Sequence, residues 1–160
     1  SKLVQLKNIV LHKMKADSAI SINERITVTP LLVPHRHEFT ETVGSRITWP
    51  GKSILFIPDI DKWAKWNHDI LHAIEEHDLL LIDGTFFDDG ELSGRSMSEI
   101  PHPFIKESMQ LFDTLSPGQK SKIWFIHLNH SNPALITGSA AQKEIESKGY
   151  HVAVQAQVIK

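Results

Sequence analysis

Four apolar runs in this chain each stop on a histidine or an aspartate, and that repeated ending limits what the chain can fold into. Residues 26–33 lead into Pro34-His35-Arg36-His37, and residues 53–57 into Pro58-Asp59. Residues 79–82 lead into Asp83-Gly84-Thr85, and residues 122–126 into His127-Leu128-Asn129-His130. The third run is apolar without interruption, which is what a strand covered on both faces requires. An α/β sheet collects its chemistry at the carboxyl ends of its strands, so four such endings can converge on one cleft. Imidazole and carboxylate suit Zn²⁺, Mn²⁺ or Fe²⁺, and thiolate is not on offer because the chain has no cysteine.

The segments around these endings alternate in type. Residues 4–12 and 24–33 are β-like, with a turn over 18–23. Residues 44–49 and 53–57 flank Pro50-Gly51, a good hairpin turn. From Asp61 the pattern becomes helical: Trp63, Trp66, Ile70, Ala73, Ile74 and His77 follow that spacing, with Asp61 as the N-cap. Residues 88–99 are polar and glycine-containing, hence an active-site or mobile loop. A helix is expected over 101–115, with Phe104, Ser108, Leu111 and Phe112 on one face and Ser116-Pro117-Gly118 stopping it. A buried strand at 122–126, a helix at 139–148 with Gly149 as its C-cap, and a strand over 151–158 complete the pattern. The order is β-rich first and βαβαβαβ after, as in one layer pair of a larger α/β fold.

Composition narrows the function classes. At 160 residues and 41% hydrophobic content, the chain is one domain or a large part of one. Seventeen basic against nineteen acidic side chains give a net charge of −2, with no extended basic field for non-specific nucleic-acid binding. The missing cysteines exclude a disulfide framework and fit a reducing, cytoplasmic setting. No apolar stretch approaches the ~20 residues of a membrane span, so no membrane partner is expected. The opening Ser1-Lys2-Leu3-Val4-Gln5-Leu6 reads as an entry in mid-fold.

Each candidate ligand has a plainer reading beside it. A histidine at a strand end is commonly a packing or surface residue. His127 stands above that background, because it directly follows an apolar strand and His130 comes three positions later. Asp59 can instead cap the Asp61 segment, and Asp83 can be a turn residue. Either His35 or His37 can be the ligand of the first ending. His68 and His72 read as a solvated helix face, and His12 and His151 have no partner pattern. The joint occurrence, rather than any one residue, favours a metal site.

Val28-Thr29-Pro30-Leu31-Leu32-Val33-Pro34-His35, followed by Gly44-Ser45-Arg46-Ile47, resembles the third metal motif of the metallo-β-lactamase superfamily. Ser53-Ile54-Leu55-Phe56-Ile57-Pro58-Asp59 resembles its next strand, and Ile123-Trp124-Phe125-Ile126-His127 its final strand with a metal histidine. Asp83-Gly84-Thr85-Phe86-Phe87, Gly94-Arg95-Ser96-Met97 and His127-Leu128-Asn129-His130-Ser131-Asn132-Pro133 look most like the B-protein family of pyrroloquinoline quinone biosynthesis. Transfer-RNA 3′-processing nucleases and cyclic phosphodiesterases share the more general pattern. The resemblance runs from about residue 26 to the end of the chain. The His-x-His-x-Asp-His motif of the N-terminal half of such folds is absent.

The resemblance implies an αββα four-layer sandwich, with residues 1–160 forming the C-terminal part of that single domain. It implies a two-metal site, with zinc first and manganese or iron as alternatives, and Asp59 bridging metals ~3.5–4 Å apart between His35 and His127. His102 becomes the general acid, against the plainer reading of a helix-start residue between two prolines. His130 would meet substrate or the bridging water, Asp83 would orient a ligand, and His37, Arg95 and Ser96 would face substrate. The expected substrate is a small or peptide-derived molecule turned over by a metal-dependent enzyme. A phosphodiester hydrolase and a quinone carrier are the alternatives. Alone, the chain is expected to be inactive and to hold metal weakly. It should pair with a missing N-terminal half or a second copy, through a sheet face that includes Leu32 and Trp49.

Overall fold

The computed structural model describes residues 2–36, 40–92 and 99–159, and among them one mixed sheet of seven strands runs in chain order. A short helix, α1 (Lys2–Gln5), precedes it. Strands β1 (Ile20–Ser21), β2 (Thr27–Leu32), β3 (Val43–Trp49) and β4 (Lys52–Ile57) are antiparallel neighbours. Strands β4, β5 (Leu79–Asp83), β6 (Ile123–Ile126) and β7 (His151–Val152) are parallel. The β3–β4 hairpin closes at Pro50-Gly51 as expected, with Gly51 at φ 76°, a left-handed conformation that favours glycine.

Four helices follow α1: α2 (Ile70–Glu76), α3 (Ile105–Leu111), α4 (Pro117–Lys120) and α5 (Ala140–Ser147). The parallel strands advance across the sheet in one direction without reversing. Crossovers between parallel strands are right-handed, so α2, α3 and α5 all fall on the same face. The core sits there. Leu55, Ile57, Leu80, Ile82, Ile123 and Phe125 are fully buried in one cluster with Ile74 of α2, Ile105 and Met109 of α3, and Ile145 of α5. The alternate residues of the same strands, Ile54, Phe56, Leu79, Leu81, Trp124 and Ile126, point the other way and are only half-buried.

Several elements differ from the pattern read in the sequence. Residues 6–19 form no strand, and Leu3, Leu6, Val10 and Leu11 are exposed. With no neighbour to pair with, their apolar character does not make a strand. Strand β1 falls inside the expected turn at 18–23. The helix expected from Asp61 is two pieces, a 3₁₀ turn at Trp63–Lys65 and then α2, whose N-cap is Asp69 rather than Asp61. The break lies at Trp66, whose backbone is extended. The Trp63 indole N–H donates to Ser108 Oγ at 2.9 Å, and that of Trp66 to the Leu32 carbonyl at 2.9 Å. Two buried indoles with partners on different elements leave no room for a continuous helix.

Helix α3 is shorter than 101–115, and Leu111 is exposed at its end. Ser116 caps α4 instead of merely stopping α3. The last strand is two residues long, because a turn at Val154–Gln157 takes the chain off the sheet. Helix α5 keeps its expected cap, with Gly149 at φ 89°. No helix among the described residues is long and apolar enough to cross a membrane.

Candidate metal centre

Two antiparallel reversals separate β2 from β4, so the two strands point the same way. The carboxyl ends of β2, β4, β5 and β6 therefore share one edge of the sheet. His35 follows β2, Asp59 follows β4, Asp83 ends β5, and His127 follows β6. His35 Nε2 lies 3.4 Å from Asp59 Oδ2. Asp59, Asp83 and His127 each offer a ligand atom, all within 4.8 Å of one another. His102, just before α3, places Nδ1 at 2.8 Å from Asp83 Oδ2 and 3.5 Å from Asp59 Oδ1. Its ring centroid is 5.5 Å from that of His35 and 6.5 Å from that of His127.

Asp83 anchors the inner side of this group. It is fully buried, and each of its oxygens accepts two hydrogen bonds. Oδ1 accepts from the Thr85 amide at 2.8 Å and the Thr85 hydroxyl at 2.6 Å. Oδ2 accepts from the Ile60 amide at 3.1 Å and from His102 Nδ1 at 2.8 Å. With its proton given to a carboxylate, the Thr85 hydroxyl can only accept from a ring nitrogen. His127 Nδ1 is 3.1 Å away, which puts the proton there and frees Nε2. Buried Asn132 holds the turn beneath, donating to the Gly84 carbonyl at 2.8 Å. A Cβ on Gly84 would meet Phe125 Cβ at 2.9 Å and the Ile126 carbonyl at 3.1 Å, so only glycine lets β5 leave the sheet this close to β6. His127 itself turns at φ 60°, in the left-handed region that few residues other than glycine adopt.

Asp59 is different. Its Oδ1 is buried and has no hydrogen-bond partner among the described residues. Leaving a buried carboxylate oxygen without a hydrogen bond is costly, and a cation would fit at this atom. The surrounding imidazoles and carboxylates are the donor set of zinc and similar divalent metals. Burial on its own would lower the pKa of His102. The hydrogen bond to Asp83 and the charges of Asp83, Asp59 and Asp61 outweigh it and hold the ring above its ordinary value.

The other candidates are scattered. His130 lies on the exposed turn after β6, and none of the hydrogen bonds or ion pairs of the cluster runs to it. His37, Arg95 and Ser96 lie outside the described residues. His68 and His72 are exposed, beside Asp17 and the Glu75/Glu76 pair respectively. His151 stacks on Trp124, with centroids 4.3 Å apart. Two participants were not singled out in the sequence. Asp61, expected as a helix cap, has Oδ1 at 3.3 Å from His35 Nδ1, and Thr85 joins Asp83 to His127. Each stands two residues beyond an aspartate of the cluster, which was the only signal available.

Residues 2–128 match the model of the β-lactamase superfamily domain. Coenzyme PQQ synthesis protein B of Gluconobacter oxydans is 31% identical over 118 residues, covering 71% of this chain and 38% of that protein. The protein of the same name from Nitrosococcus oceani is 29% identical over 146 residues, covering 81% and 46%. The chain thus spans less than half the length of these curated relatives. Among solved structures, Zn²⁺-bound PqqB from Methylobacterium extorquens superposes with a TM-score of 0.69 at 24% identity, over 92% of this chain and 51% of that one. The metallo-β-lactamase fold protein YhfI from Bacillus subtilis gives 0.58 at 14% identity, over 95% and 58%.

Proposed function

In a chain that belongs to the metallo-β-lactamase superfamily, we propose that this sheet edge is one wall of a metal-dependent active site of the coenzyme PQQ synthesis protein B type. The observation that carries this reading is the group of Asp59, Asp83 and His127, whose ligand atoms lie within 4.8 Å of one another, with Asp59 Oδ1 buried and without a hydrogen-bond partner among the described residues. Zinc is the first choice of cation, with manganese or iron next. A bound divalent cation would lower the pKa of a coordinated water toward ~7 and so supply hydroxide near neutrality.

The residues of this chain have separable tasks in that reading. His35 and His127 would each hold metal through a ring nitrogen. Asp59, with one oxygen toward His35 and the other toward His102, would supply a carboxylate to the metal. Asp83 and Thr85 fix His102 and His127 in place. His102, whose pKa is raised by its acidic neighbours, would donate a proton to the group that leaves. The substrate is a small or peptide-derived molecule, and the remaining ligands come from a partner segment or a second copy of the chain.

Zinc titration of the protein and of its Asp59→Asn variant tests the site. The substitution should weaken binding by more than the ~10–100-fold that loss of an outer residue behind a ligand costs. Unchanged zinc affinity in Asp59→Asn would remove the proposal. In the active protein, His102→Ala should lower kcat by ~10²-fold with metal content unchanged. Loss of metal in that variant would make His102 a ligand instead.

A further inference from the structure

We propose that Asp61 is a positioning residue that accepts a hydrogen bond from Nδ1–H of His35 and so leaves Nε2 as its ligand atom; this rests on the metal reading above. The His35 ring lies between two carboxylates, with Nδ1 at 3.3 Å from Asp61 Oδ1 and Nε2 at 3.4 Å from Asp59 Oδ2. Asp61 is not free to choose another position. Its amide donates to the Pro34 carbonyl at 2.7 Å, which ties it to the residue just before His35. Its Oδ2 is held by Lys65 Nζ at 3.0 Å, so Oδ1 is the oxygen left for the ring. Both side chains are largely shielded, 17% exposed for His35 and 14% for Asp61, and a charge-assisted hydrogen bond is strongest where water is excluded.

The two sides of the ring are therefore unequal. On the Asp61 side the backbone is tied to Pro34 and the carboxylate to Lys65, which leaves one oxygen as an acceptor for the ring N–H. On the other side an imidazole lone pair would face the Asp59 carboxylate, an arrangement that repels until a cation lies between them. Carboxylate, imidazole and metal in a row is the usual way an outer residue sets the tautomer and basicity of a histidine ligand.

The experiment has two readouts on the wild type, Asp61→Ala and the near-isosteric Asp61→Asn, which keeps an acceptor oxygen. The first is the His35 tautomer in metal-free protein, from long-range ¹⁵N–¹H spectra at about pH 8, above the ordinary imidazole range. The second is zinc affinity, with circular dichroism confirming the fold. Wild type and Asp61→Asn should show His35 protonated on Nδ1, and Asp61→Ala should lose that preference. Zinc binding should weaken 10–100-fold in Asp61→Ala and only a few-fold in Asp61→Asn. A tautomer unchanged in Asp61→Ala overturns the proposal whether or not zinc binds. Equal loss of zinc in both variants also overturns it, because Asp61 would then act as a ligand. If the tautomer responds while no variant differs in zinc binding, the positioning role stands and the metal reading of His35 fails.

Discussion

The two faces of this sheet are built by the same strands from residues of the same kind, yet one is closed and the other is open. Phe125 is fully buried, while its neighbour Trp124, larger and equally apolar, is half-buried. Leu80 and Leu81 differ in the same way. Cross-strand register lines up Ile47, Ile54 and Leu79 in one row of the open face, and Phe56, Leu81 and Trp124 in another. Hydrophobicity does not distinguish the faces. The direction of the crossovers does, because strands that advance one way send every helix to one side. Near its antiparallel end the sheet also exposes Leu32, Val43 and Trp49. A sheet apolar on both sides is made to be covered twice.

The sharpest way to break this comparison is to truncate one residue on each face. Phe125→Ala should cost about 3–5 kcal/mol in urea-induced unfolding, the usual loss for a fully buried aromatic ring. Trp124→Ala should cost less than about 1.5 kcal/mol, because much of its ring is already in contact with water. Both are read at concentrations dilute enough to keep the chain monomeric, and equal costs there would mean that the second face packs within the monomer itself.

A smaller effect on stability, with a large effect on association, is expected from Leu81→Asp. The unaltered chain should run above its 18.1 kDa monomer mass in light scattering, through the open face. The aspartate should return it to that mass while changing stability by about 1 kcal/mol or less, as half-exposed positions usually do. A monodisperse 18.1 kDa species for the unaltered chain at high concentration would make the open face self-sufficient.

What the sequence made legible follows the same division between local and distant causes. Strand endings were readable because an apolar run and its terminal His or Asp are adjacent in the chain. Pro50-Gly51 and Gly149 were readable because turn and cap conformations are set within a few residues. The break at Trp66 was not, since the acceptors of its own indole and that of Trp63 are Leu32 and Ser108. Asp61 looked like a helix cap because its real partner, His35, lies 26 positions earlier. Thr85 looked like part of a turn until Asp83 and His127 were seen on either side of its hydroxyl. The apolar run at residues 4–12 looked like a strand because only a neighbour, and not its own residues, decides whether it pairs.

The smallest expected effect belongs to the closed face, which carries a titratable pin at its rim. Arg46 pairs in register with buried Leu55 and donates from Nε to His77 Nε2 at 3.1 Å. On its other side His77 Nδ1 donates to the Ala73 carbonyl at 2.7 Å. That pattern needs a neutral ring, with one nitrogen donating and the other accepting. Burial lowers the His77 pKa, and the Arg46 charge lowers it further. The Ala73 carbonyl and the charges of Glu76 and Asp78 oppose the shift without cancelling it. An unfolded chain therefore binds a proton at this position more readily than the folded one does. The stability owed to neutral His77 is present in full above the ordinary imidazole value of 6.5. It is lost as the pH falls from there through the lowered folded-state value. Melting temperatures should drop across that acidic window, and the drop should shrink in His77→Gln, which does not titrate. An identical acid profile in the two proteins would leave the closed face without its pH-sensitive pin, and the difference between the faces would then be one of packing alone.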